Sequence, residues 1–150
     1  MPHIVFVCKN FLVVLGDYPL RILRLDNTGI CSLSTSICEL SLLETLDLYQ
    51  CKQLQSLPKL PSSLMSLRVT CTTMETFPSL SNLINLMELC FDNCVNLVEI
   101  PRDIGKLSIL ETLYLRGTKI STLPAEIGDL SLLKQVSNLN YMAATIFNVS

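Results

Sequence analysis

The sequence predicts an α/β solenoid, with a curved parallel sheet on the concave side and loops and short helical turns on the convex side. Three observations carry this. An L-x-x-L-x-L pattern returns every 21 to 24 residues, at Leu20/Leu23/Leu25, Leu43/Leu46/Leu48, Leu64/Leu67/Val69, Leu86/Leu89/Phe91 and Leu110/Leu113/Leu115. A fixed period of that length is the mark of stacked repeats, each of which buries its apolar face only against its neighbours. A second apolar residue recurs later in each unit (Leu33, Leu57, Phe77, Ile100, Leu123), and Pro58, Pro78, Pro101 and Pro124 follow it in four units. Three units then close with I-x-x-L, at Ile37/Leu40, Ile104/Leu107 and Ile127/Leu130.

Each part of the unit has a physical reason. Side chains alternate faces along a strand, so the fourth and sixth positions of a unit point to one side. Stacking the units sets these strands parallel, about 4.8 Å apart. The ninth position reads Thr28, Cys51, Thr72, Cys94 and Thr118. A small polar side chain turned inward there can satisfy backbone groups that stacking would otherwise leave buried and unpaired. The next apolar residue comes two later after Thr (Ile30, Met74, Ile120) and three later after Cys (Leu54, Leu97). Proline suits the return arm, where no ladder N–H is needed, and I-x-x-L places two apolar residues on one face of a helical turn. Ser34 stands where the first unit lacks the proline. The second return arm, Leu57-Pro-Lys-Leu-Pro-Ser-Ser-Leu64, reads as extended. A sixth unit is degenerate: Leu133 and Val136 hold its first and fourth positions, but Asn138 takes the sixth.

The resulting organisation is an N-terminal strand, cap or degenerate repeat over 1–19, repeats over 20–136 and a degenerate C-terminal tail over 137–150. The first segment, Ile4–Cys8 and Phe11–Leu15, is apolar but split by Lys9 and Asn10. With no basic region before it and no small-residue cleavage site after it, it reads as a buried strand and not as a signal peptide. The chain is 49% hydrophobic, with mean hydropathy +0.46. No apolar run approaches the roughly 18 residues needed to span a bilayer, so no membrane partner is expected. Net charge is −2 and the eleven Lys and Arg residues are scattered, which argues against nucleic acid as a partner. The seven cysteines are odd in number and mostly sit inside the repeat, so reduced thiols and a cytoplasmic setting are expected.

L-x-x-L-x-L-x-x-[CT]-x-L resembles the leucine-rich repeat, over about residues 20–136. In detail the units are similar to the repeat domains of plant intracellular nucleotide-binding immune receptors, the disease resistance proteins. LDLYQCKQLQSLP (46–58) resembles their L-x-L-x-x-C-x-x-L-x-x-L-P unit, and LPKLPSSLMSL (57–67) resembles a proline-rich unit common among them. LYLRGTKISTLPAEIGDL (113–130) resembles G-T-x-I-x-x-L-P-x-x-I-G-x-L, and LVEIPRDIGKL (97–107) is close to the same pattern. The resemblance implies a protein-recognition module of plant defence and innate immunity. Its partner would be a pathogen effector or the regulatory domains of a longer receptor. Ras-suppressor-type leucine-rich-repeat scaffolds share L-P-x-x-I-G-x-L, so a stand-alone signalling scaffold is the alternative. The extracellular plant type, with L-x-G-x-I-P units and Cys/Trp caps, fits poorly, because Trp is absent. The P-loop of such receptors, G-x-x-x-x-G-K-[ST], is also missing from the chain. The sequence therefore reads as a fragment lacking the nucleotide-binding domain.

Strand residues pointing away from the core form the concave face and are the expected protein-binding site. The third positions include Glu88, the fifth Arg24, Asp47, Arg68, Cys90 and Tyr114, and the seventh Asp26, Tyr49, Thr70, Asp92 and Arg116. Of these, Arg24, Asp26, Asp47, Tyr49, Arg68, Glu88, Asp92, Tyr114 and Arg116 are the candidate contacts. The tyrosines would act as amphipathic anchors and the arginines as two-pronged donors. Arg24, Asp47 and Arg68 are expected to form an alternating charge ladder, with Asp92 beside Arg116. Charges of opposite sign on neighbouring strands also limit repulsion, an effect under about 1 kcal/mol each. No catalytic residue, cofactor, metal or small-molecule substrate is expected. The sole histidine, His3, lies outside the repeats, and no serine has a paired base. Cys90 and Cys94 would diverge, one outward and one inward, which disfavours a zinc site. Asn148-Val-Ser150 is a chance-level sequon.

Overall fold

A computed structural model describes residues 5–8, 11–14 and 19–137, with side chains described over 19–137. Six strands, β3 (Ile22–Arg24), β5 (Thr45–Leu48), β6 (Ser66–Val69), β7 (Glu88–Cys90), β8 (Thr112–Tyr114) and β9 (Gln135–Ser137), form one parallel sheet in chain order. The register holds without slippage: Leu23, Leu46, Leu67, Leu89, Leu113 and Val136 face one another across successive strands. First, fourth and sixth positions are buried in every unit from Leu20 to Leu115, as are Leu133 and Val136. Burying each such side chain contributes roughly 1.5–3 kcal/mol relative to exposure. Phe91 replaces leucine at a sixth position and packs against Phe77 of the preceding return arm, with ring centroids 4.3 Å apart.

At the start of each strand the backbone repeats one device. The carbonyls of Arg21, Glu44, Met65, Met87 and Glu111 each accept two N–H groups from the next turn, at 2.8–3.2 Å. The side chains at this position pair at both ends of the row, Arg21 with Glu44 and Lys134 with Glu111 (2.7 Å).

The I-x-x-L segments form 3-10 helices: η1 (Thr35–Glu39), η2 (Arg102–Lys106) and η3 (Ala125–Asp129). Each buries its central isoleucine. The helical part of the solenoid is thus single short turns, with no α-helix among the described residues. Pro101 and Pro124 precede η2 and η3 in extended conformation. Ser34, with nearly the same backbone angles, precedes η1 and accepts a hydrogen bond from the Ser36 N–H at 3.3 Å. Proline and serine are therefore two solutions at one N-cap position, one fixing φ and the other capping. The second return arm carries no helix, as its prolines predict.

The first segment forms two strands, β1 (Val5–Cys8) and β2 (Phe11–Val14), paired antiparallel. Strand β2 then pairs in parallel with β4 (Ser32–Leu33) of the first return arm. The expected burial of this segment, His3, Asn138, the 138–150 tail and its sequon lie outside the described residues.

One expectation about the turns is corrected. In units one, two, four and five the residue three after the sixth position turns inward: Thr28, Cys51, Cys94 and Thr118. In unit three the inward residue is Cys71, fully buried, while Thr72 is exposed. The other four turns pass through a left-handed residue at the eighth position (Asn27, Gln50, Asn93 and Gly117, φ 58–72°). Unit three has no such residue, so its turn is one residue shorter and Cys71 moves into the inward place. Met74 then follows three after a cysteine, as Leu54 and Leu97 do. The inward series is Thr-Cys-Cys-Cys-Thr, not an alternation.

Candidate functional site

The exposed face of the six-stranded sheet carries the third, fifth and seventh positions in straight rows. Register pairs Arg24 with Asp47, Asp47 with Arg68, Arg68 with Cys90, and Cys90 with Tyr114. Over β6, β7 and β8 this face sinks into a groove of about 580 Å³. Tyr49, Arg68, Glu88, Asp92, Tyr114 and Arg116 line it, together with Thr70, Cys90 and Asn93. Six of the nine candidate residues are thereby brought together. Arg24, Asp26 and Asp47 are not; they lie toward the N-terminal end of the sheet.

The floor and the walls differ in chemistry. Thr70 and Cys90 are 7% and 8% exposed and form the floor. Burial pushes the Cys90 thiol above its ordinary range, against an opposing hydrogen bond from the Asp92 backbone, so it remains protonated near neutral pH. Thr70 owes its burial to the short third turn, since seventh-position residues elsewhere are exposed or half-buried. Its Oγ1 has no hydrogen-bond partner among the described residues, an arrangement that costs about 1–3 kcal/mol when a buried hydroxyl goes unsatisfied.

The walls carry the charges. The Asp92 carboxylate accepts from the Arg116 backbone N–H at 2.7 Å and pairs with its Nε at 3.4 Å. The Arg116 guanidinium also lies 5.9 Å from the centroid of the Tyr114 ring. The carboxylate at Nε and the ring beneath fix the direction of this guanidinium, whose terminal nitrogens have no second carboxylate within 4.0 Å among the described residues. Asp92 beside Arg116 is as the row pattern predicts. Arg24, Asp47 and Arg68 stack in register as expected, but no ion pair within 4.0 Å joins Asp47 to either arginine. Asp47 instead accepts from its own chain's Tyr49 N–H at 3.0 Å. Arg68 reaches diagonally to Glu88, at 4.0 Å. Tyr49, 41% exposed, comes from the second unit and half-buried Tyr114 from the fifth, at the two ends of the groove.

The candidate set omitted Thr70, Cys90 and Asn93. Cys90 and Thr70 sit in the outward rows, but nothing in their identity marks them as a floor. The left-handed turn that carries Asn93 has a signal in the chain, the recurrence of Asn or Gly at the eighth position of units one, four and five.

A smaller hollow of about 430 Å³ lies between the fourth and fifth return arms, lined by Arg102, Pro101, Pro124 and Glu126 among others. No group of three or more His, Cys, Asp or Glu side chains among the described residues is placed to hold a metal ion. No described helix is long and apolar enough to cross a membrane.

Neither the family models nor the curated proteins give a match to the chain. Among solved structures, a leucine-rich-repeat protein of Leptospira interrogans is similar to it, with a TM-score of 0.53 at 24% sequence identity. The match covers 79% of this chain and 38% of that one, so the chain spans well under half the length of its neighbour. At this identity the likeness speaks to the fold, a leucine-rich-repeat solenoid.

Proposed function

We propose that the chain is a protein-recognition module that binds a protein partner on the exposed, concave face of its sheet, with no covalent step. The observation that carries this is the groove. Two tyrosines, two arginines and two carboxylates are held over a buried hydroxyl that lacks a partner among the described residues. Aromatic and arginine side chains with an oriented polar group between them are the composition of interface hot spots. The nine residues Arg24, Asp26, Asp47, Tyr49, Arg68, Glu88, Asp92, Tyr114 and Arg116 form the contact surface, strongest where six of them converge.

The L-x-L-x-x-C-x-x-L-x-x-L-P and L-P-x-x-I-G-x-L units support a finer reading. In it the chain is a piece of the repeat domain of a plant-type intracellular immune receptor. The repeats run over 20–136, a strand cap precedes them, and the partner is a cytoplasmic effector or the receptor's own regulatory domains.

The test is quantitative retention of cytosolic partner proteins by the wild-type chain and by an Arg68→Glu/Asp92→Arg double variant. The reversed charges should lower retention about tenfold or more, the range expected when charged contacts near an interface centre are lost. Circular dichroism should be unchanged, because neither side chain belongs to the apolar core that holds the turns together. Lys106→Glu, on η2, serves as the control. Equal retention by wild type and double variant would sink the assignment of this face.

A further inference from the structure

The shortened third turn does more than bury Thr70. It brings Cys71 into the inward row beside Cys94 of the next turn, with the two sulfurs 3.6 Å apart and both side chains fully buried. The neighbouring inward cysteine, Cys51, is engaged elsewhere, toward the Leu25 carbonyl at 3.1 Å and Thr28 Oγ1 at 3.6 Å. Adjacent parallel strands lie about 4.8 Å apart, inside the roughly 4.4–6.8 Å range of Cα separations that a disulfide accepts. Side-chain rotation that closes the sulfurs to about 2.05 Å would complete the bond.

We propose that Cys71 and Cys94 are a redox modification site, a dithiol that hydrogen peroxide converts to a disulfide tying the third turn to the fourth beneath the groove. In the first step the Cys71 thiolate attacks one peroxide oxygen. The O–O bond breaks, and the departing hydroxide takes up a proton as water, leaving a sulfenic acid on Cys71. The Cys94 sulfur then attacks the Cys71 sulfur, the S–O bond breaks, and the hydroxyl leaves as water with the Cys94 proton. Two thiols and one peroxide thus give one disulfide and two waters; the sulfurs are oxidised and the peroxide oxygens reduced.

The order of events follows from the hydrogen bonds. In the neutral pair the Cys71 S–H donates to the Cys94 sulfur, and the Cys94 S–H points to the Val69 carbonyl at 3.6 Å. When Cys71 ionises, the Cys94 S–H can turn to donate to it. That hydrogen bond holds the Cys71 thiol below its ordinary range, and the same bond together with burial pushes Cys94 far above it. Cys71 is therefore the attacking sulfur and Cys94 the resolving one. Peroxide is close to water in size, which suits a pair that no bulky oxidant reaches in the folded protein. Thr70 and Asn93, the sequence neighbours of the two cysteines, both line the groove, so bond formation would reshape its floor. That last consequence rests on the function proposed above; the bond itself does not.

The experiment treats the fully reduced, folded chain with hydrogen peroxide, alkylates the remaining thiols after unfolding, and maps the non-reduced peptides. The expected result is loss of two of the seven thiols to a Cys71–Cys94 cross-linked peptide. A Cys38→Ser chain, altered only at an exposed cysteine, should behave identically. In Cys94→Ser, a sulfenic acid that dimedone traps should accumulate on Cys71. The proposal is overturned if both thiols are still alkylated once Cys38 has been oxidised, or if either bonds to a different cysteine. Failure of the partner-binding test would leave this peptide map unchanged, so the two ideas stand or fall separately.

Discussion

At Gly117 the backbone has φ +72°, and a Cβ there would lie 2.6 Å from the Asn93 Oδ1 and 3.3 Å from the Asn93 Cα. The same turn in other units is made by Asn27, Gln50 and Asn93, each at φ near +60°. An L-residue in this conformation costs about 1–2 kcal/mol, which asparagine lowers through local hydrogen bonds. In the fifth unit the neighbouring Asn93 fills the space a side chain would need, so contact demands glycine where the angle alone only favours it. Gly117→Ala should therefore lower stability by about 2 kcal/mol, read as a shift of the urea midpoint with unchanged slope. A loss under about 0.5 kcal/mol would mean that the Asn93 side chain simply moves aside.

The strand, turn and return arm of each unit answer to different parts of the sequence. Strands were legible because L-x-x-L-x-L constrains three buried positions at once, and the buried residues of β3, β5, β6, β7 and β8 fall on them, with Cys90 of the groove floor the exception. The 3-10 turns were legible for the same reason: Ile37, Ile104 and Ile127 each need a burial site one short turn before a leucine. The third turn was not, because Cys71 and Thr72 are adjacent, both small and both able to serve inward. A ninth-position count chooses Thr72, and only the missing left-handed residue shows that the turn is a residue shorter. The two threonines supply a direct check. Thr118 is buried, and its hydroxyl donates to the Leu115 carbonyl at 2.8 Å, so Thr118→Ala should cost about 1–3 kcal/mol. Thr72 is exposed, with its hydroxyl on the Lys52 carbonyl at 2.9 Å, and Thr72→Ala should cost no more than about 1 kcal/mol in the same denaturation assay. Comparable losses at the two sites would restore the inward reading of Thr72. The site was legible to the extent that register dictates it. Rows of outward residues follow from strand alternation, so Asp92 beside Arg116 could be read in advance. The choice of Arg68 for Glu88 over Asp47 could not. Long side chains reach diagonal neighbours, and the Asp47 carboxylate is taken by a backbone N–H in its own strand end.

Across the described residues each turn touches chiefly its neighbours, and side chains outside the strands stitch consecutive turns. Ser63 donates to the Leu43 carbonyl at 2.7 Å, Asn82 to Leu60 at 2.6 Å and Asn96 to Thr72 at 2.6 Å. The Leu80 N–H donates to Asp103 at 3.0 Å. Rigidity is thus supplied by the core and the return arms, which leaves the sheet face free to vary its side chains without loss of fold. This division of labour is the central claim: one face for stability, the other for recognition. Amide hydrogen exchange of the chain, alone and saturated with a partner that the wild type retains, tests it most directly. The account predicts new protection at 45–49, 66–70, 88–93 and 112–116, with η2 and η3 unchanged. Protection confined to the return arms, with the strand peptides exchanging as before, would contradict it.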